Sequence, residues 1–87
     1  MKIDLKGKSI LVTGSSRGIG EGIAKHLAEA GAQIAIHYNK NKAKAEQLAD
    51  QFGNGSAAFG ADLESPQACE RLFNDVVSTF GKVDVLV

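Results

Sequence analysis

The stretch "LVTGSSRGIG", Leu11 to Gly20, sets three glycines, Gly14, Gly18 and Gly20, directly after a short apolar run and directly before a helical pattern. The first amides of a helix are unpaired donors at the positive end of its dipole, so they favour an anion such as a phosphate. Glycine lets the chain come close to that anion. A tight turn that only needs glycine's backbone angles is the simpler explanation of the same residues. The spacing here is G-x-x-x-G-x-G, not the G-x-G-x-x-G fingerprint of dinucleotide sites, and Gly22 extends the set without restoring that fingerprint. What surrounds the loop has to decide between the two explanations.

Upstream, Ser9-Ile10-Leu11-Val12 is short, apolar and β-branched, as a strand covered on both faces should be. Downstream, Ile19, Ile23, Leu27 and Ala30 recur at helical spacing, and Gly31 stands where a left-handed cap belongs. The same alternation continues to the end of the chain. Ile34-Ala35-Ile36 predicts a second strand, and Ala45, Leu48, Ala49 and Phe52 mark a second helix with Lys42, Lys44, Glu46 and Asp50 on its other face. Gly53-Asn54-Gly55 ends that helix, and Ala57-Ala58-Phe59 fills the slot of a third strand. Ser65-Pro66 reads as an N-cap with proline in the first turn. Cys69, Leu72, Phe73, Val76, Val77 and Phe80 then form an apolar stripe closed by Gly81, and Val83, Val85, Leu86 and Val87 make a fourth strand. Strands alternating with helices imply an α/β fold with a parallel sheet and right-handed crossovers, half of a doubly wound architecture. In such a fold a ligand sits beyond the carboxyl ends of the strands, and the first strand-to-helix turn approaches it most closely. The glycine stretch occupies that turn.

Composition excludes several other classes. Ten basic and ten acidic side chains cancel to zero net charge, so the 87 residues offer no broad positive field for nucleic acid. "MKIDLKGK" lacks the continuous apolar run of a signal peptide, and no later run is long enough to cross a bilayer. The expectation is a soluble, cytoplasmic protein with neither nucleic-acid nor membrane partners. Cys69 is the only cysteine, so neither an internal disulfide nor a multi-cysteine zinc site can form.

The sequence resembles the short-chain dehydrogenase/reductase family, whose cofactor loop has the form T-G-x-x-x-G-x-G. Here that loop is Thr13-Gly14-Ser15-Ser16-Arg17-Gly18-Ile19-Gly20. Ala61-Asp62-Leu63 is similar to the family's segment after the third strand, where an aspartate contacts the adenine ring. "GKVDVLV", Gly81 to Val87, is similar to its run into the fourth strand, and "LKGKSILVTG" to its usual opening. The resemblance is strongest to the 3-oxoacyl-(acyl carrier protein) reductase branch. It implies the N-terminal half of a Rossmann-type sheet in strand order 3-2-1-4, with residues 1–87 as a partial NADP-binding domain. The implied activity is hydride transfer between NADPH and a ketone or acyl-thioester carbonyl, such as a 3-oxoacyl substrate of fatty acid biosynthesis, by a protein that is homo-oligomeric when complete. A non-catalytic nucleotide-binding or sensor module of the same fold is the alternative.

By this resemblance Gly14, Ser15, Ser16, Arg17, Gly18, Ile19 and Gly20 hold the cofactor's phosphates, and Asp62 and Leu63 meet its adenine. Folds that select NAD place an Asp or Glu about 20 residues after the glycines, at the end of the second strand. No carboxylate lies between Glu29 and Glu46, and the resemblance puts Tyr38, followed by Asn39 and Lys40, at the acidic position. NADP is therefore the expected cofactor, with Arg17 as the direct partner of its 2′-phosphate.

The family's Asn-Asn-Ala-Gly segment, its serine and its Tyr-x-x-x-Lys motif do not occur in these residues. No catalytic residue is assigned, and a fragment of a longer protein is expected. Tyr38 and Lys42 match Tyr-x-x-x-Lys in letters only, at a position unsuited to catalysis. His26 reads as solvated, and His37 falls at the end of the second strand without a ligand set for a metal. Lys40, Lys42 and Lys44 read as a solvated helix start, although Lys40 could approach a phosphate. Asp84 is expected to have a structural partner, and Asp62 could equally be a loop-initiating carboxylate.

Overall fold

The computed structural model describes residues 4–15 and 18–87, so Ser16 and Arg17 of the predicted phosphate loop lie outside the described residues. In chain order the elements are β1 (Ser9–Val12), α1 (Gly18–Glu29), β2 (Gln33–Tyr38), α2 (Lys42–Phe52), β3 (Ala57–Gly60), α3 (Pro66–Phe80) and β4 (Val85–Leu86). The strands form one parallel sheet in the order β3-β2-β1-β4, as expected. Ile10 stands opposite Ile34 and Val85, and Ile36 opposite Ala58.

Side chains alternate across the sheet, and this alternation builds two cores. Ile10, Val12, Ile34 and Ile36 pack on one face against Ala24 and Ala28 of α1 and Ala45, Leu48 and Ala49 of α2. Leu11 and Ala35 point to the other face, where they meet Leu72 and Val76 of α3. Phe59 and Phe80 complete this second layer, their rings edge to face with centroids 5.8 Å apart. Asn41 Oδ1 caps α2 by accepting from the Lys44 N–H at 3.2 Å, and Ser65 Oγ caps α3 by accepting from Ala68 at 3.2 Å.

Three expectations need correction. The buried face of α1 is made by Ala24 and Ala28, while Ile19 is 83% exposed and Ile23 is also exposed. Alanine lets a helix lie close to the sheet, whereas an apolar stripe read from side-chain size favours the isoleucines. In α3 the buried line is Ala68, Leu72 and Val76, leaving Phe73 exposed. The fourth strand is shorter than expected, Val85–Leu86 without Val83; it is exposed, as an apolar edge with no described helix over it should be. Asp84 precedes that strand and is exposed rather than buried, but it has the structural partners expected. Its Oδ2 accepts from the Ser9 N–H at 2.8 Å and lies 3.1 Å from Lys82 Nζ. These two donors hold its carboxyl below the usual carboxylate value of 3.8.

Candidate functional site

The segments following β1, β2 and β3 meet at the carboxyl edge of the sheet, because parallel strands joined by right-handed crossovers all end there. The glycine loop leaves β1 at Thr13, whose hydroxyl donates to the Val87 carbonyl at 3.0 Å. Gly14 takes a φ of 64°, in the region that side chains disfavour. Gly20 is required for a different reason. A Cβ there would stand 2.4 Å from the Gly14 carbonyl oxygen, so the first turn of α1 lies directly against the loop. Its neighbour Ile19 is exposed.

Across the edge from this loop, His37, Asn39, Lys40, Asp62, Leu63 and Glu64 line an open cleft of about 450 Å³. Four of the residues singled out by sequence, Asn39, Lys40, Asp62 and Leu63, thus come together. Asp62 opens the segment after β3 with a turn of its own. Its Oδ1 accepts from the Glu64 N–H at 3.0 Å, and its carbonyl accepts from Ser65 at 3.1 Å. The side chain remains exposed, so the turn and a ligand contact can use different carboxylate oxygens.

Tyr38 stands apart from the cleft. It follows Ile34 and Ile36 in the alternation, so its ring leans onto the face covered by α1 and α2. There it lines a groove with Lys42, Glu46 and Asp50, and it crosses Gly60 so closely that a Cβ on that glycine would lie 2.7 Å from Tyr38 Cζ. Ser15 also turns inward, where its fully buried hydroxyl accepts from the His37 N–H at 3.0 Å. Lys44, expected in solvent, pairs with Glu21 of α1 at 2.9 Å. Among the described residues Lys40 is the cation that lines the cleft.

His37 is the group that sequence reasoning missed. It is 4% exposed, and its ring ties the glycine loop to the segment after β3: Gly14 N–H donates to Nδ1 at 2.9 Å, and Nε2 lies 2.8 Å from the Ala61 carbonyl. The odd-numbered register of β2, which places residue 37 with Ala35 under α3, was the available signal. Among the described residues no cluster of side chains could hold a metal ion, and no helix is long and apolar enough to cross a membrane.

A model described as short chain dehydrogenase matches residues 8–87. The 3-oxoacyl-(acyl-carrier-protein) reductase of Staphylococcus epidermidis is 45% identical over 83 residues, covering 92% of this chain and 34% of its own length. A short chain dehydrogenase from Burkholderia cenocepacia, solved in complex with NADP, is 41% identical with a TM-score of 0.84, over 94% of this chain and 35% of that one. The 3-ketoacyl-(acyl-carrier-protein) reductase of Brucella melitensis, solved with NADH, is 38% identical with a TM-score of 0.86, over 95% of this chain and 34% of that one. The chain spans about a third of the length of these relatives.

Proposed function

We propose a function from one premise: the chain belongs to the short chain dehydrogenase family, and its sheet is half of a Rossmann-type fold. Residues 1–87 then form the cofactor-binding part of a longer oxidoreductase that transfers hydride between NADPH and a ketone or 3-oxoacyl thioester. The observation that carries this reading is the meeting of a glycine-lined helix start with the Asn39, Lys40, Asp62 and Leu63 cleft at one sheet edge. These residues fit a dinucleotide. Amides at the start of α1 suit the pyrophosphate, and the cleft between β2 and β3 suits the adenosine. When bound, the nicotinamide supplies the hydride; this chain's residues bind and orient the cofactor.

Preference for NADP(H) rests on the end of β2. A 2′-phosphate there meets Asn39 and Lys40 in place of a repelling carboxylate, and Tyr38 faces away from the cleft. Arg17, within the glycine loop, is the proposed direct partner, by a charge-assisted bond. Relatives solved with NADP and with NADH both exist, so this preference has to be measured on the complete protein. The activity test is NADPH consumption by the complete protein with acetoacetyl thioester and simple ketones. Turnover supports the reading, and tight NADPH binding without turnover of any carbonyl would favour a nucleotide-binding module instead.

A further inference from the structure

His37 is a buried polar group to which the proposed function gives no role. A backbone N–H can only donate and a carbonyl can only accept. The bonds from Gly14 N–H to Nδ1 and from Nε2 to the Ala61 oxygen therefore require a neutral ring with its proton on Nε2. A third bond, from the His37 N–H to the buried Ser15 hydroxyl, anchors the loop to β2 at the next residue. One side chain thus bridges the end of β2 to the glycine loop after β1 and to the Ala61–Asp62 segment after β3, which lines the cleft through Asp62.

We propose that His37 is a positioning residue whose neutral imidazole sets the separation of the glycine loop from the Ala61–Asp62 segment and, through it, the affinity of this sheet edge for an adenine dinucleotide. The inference rests on the cofactor reading above. A second proton would convert Nδ1 from acceptor to donor against the Gly14 N–H and remove that bond, leaving the Ser15 hydroxyl bond to β2 in place. The charged groups that line the cleft with His37 are Lys40 from the end of β2 and Asp62 and Glu64 from the segment after β3, while Arg71 and Asp75 of α3 line a neighbouring groove with Ala61 and Asp62. In the glycine loop Thr13, Gly14, Ser15, Gly18, Ile19 and Gly20 bring no titratable group, and Arg17 lies outside the described residues.

The test is a fluorescence titration of the complete protein with NADPH at neutral pH, for the wild type, His37→Asn and His37→Leu, with thermal melting of each. His37→Leu leaves the Gly14 N–H and the Ala61 carbonyl unpaired and should weaken NADPH binding about tenfold at neutral pH. His37→Asn keeps an acceptor near Gly14 but falls short of Ala61, so it should bind with intermediate affinity. Equal NADPH affinity for the wild type and His37→Asn would overturn the proposal even if His37→Leu fails to fold. Nitrogen NMR of the imidazole reads the tautomer independently of any cofactor, and a protonated Nδ1 at neutral pH would also overturn it. A wild type that binds no NADPH would sink the cofactor reading and this inference together, with the tautomer still distinguishing the two failures.

Discussion

Strands β1 and β2 are buried almost throughout, with helices on both faces, whereas β4 on the other flank of β1 is exposed at both of its residues. The two regions are made of similar residues. Ile34, Ala35 and Ile36 are fully covered, while Val85, Leu86 and Val87 are about half exposed, Leu86 by 60%. Apolar composition therefore makes a strand, and the elements packed over it decide whether it becomes core. The covered side is also where the loops are tied down. Gly14, Ser15 and Ala61 all converge on His37, and β4 is held by backbone pairing, the Asp84 contacts and the Thr13 hydroxyl.

Truncation on the two sides tests this contrast with the largest effect. Ile36→Ala should cost about 2–5 kcal/mol of unfolding free energy, because it opens a cavity between β2 and the α1 and α2 helices. In the same 87 residues Leu86→Ala should stay within about 0.5 kcal/mol, as a surface change does. Urea unfolding of both variants measures the difference, and equal losses would break the comparison. It can be sharpened in the complete protein, where the proposed continuation of the sheet covers β4 and Leu86→Ala should become as costly as a core truncation.

Gly20→Ala probes the covered side at the loop itself. The added methyl meets the Gly14 carbonyl oxygen, so the loop or the first turn of α1 must shift, at about 1–3 kcal/mol. Dinucleotide binding should weaken in step, since the shifted amides are those proposed to hold the phosphates. A variant as stable and as tight-binding as the wild type would show that the loop is looser than its geometry implies.

The smallest effect belongs to Asp84. Its carboxyl is lowered by the Ser9 N–H and by Lys82, so it contributes stability above the ordinary carboxylate range, and that contribution is lost as pH falls through its lowered value. Asp84→Asn should therefore be slightly less stable than the wild type at neutral pH. The gap should close on acidification, as followed by thermal melting at several pH values.

Much of this was legible in sequence because it is local. The strand-loop-helix alternation and the Ser65 cap follow from residues near one another, the glycine pattern marks the edge where a ligand belongs, and the strand order came from the family resemblance. The errors arose where packing overrides pattern. Ile19 and Ile23 outweigh Ala24 and Ala28 in any count of apolar size, yet the alanines face the sheet. His37 looked idle because its partners come from two loops distant in the chain, and a histidine's hydrogen bonds leave no periodic trace. Adjacent positions also diverged, Tyr38 turning to the α2 side as the last residue of β2 while Asn39 and Lys40, beyond the strand's end, line the cleft.

The central claim is that this sheet edge holds NADP(H), and the most direct measurement is a titration of the complete protein with NADPH and NADH, for the wild type and Arg17→Ala. A charge-assisted hydrogen bond to the 2′-phosphate is worth about 1.5–3 kcal/mol. The wild type should therefore prefer NADPH, and Arg17→Ala should weaken NADPH by roughly ten- to a hundredfold while leaving NADH nearly unchanged. Equal or tighter binding of NADH by the wild type would contradict the account.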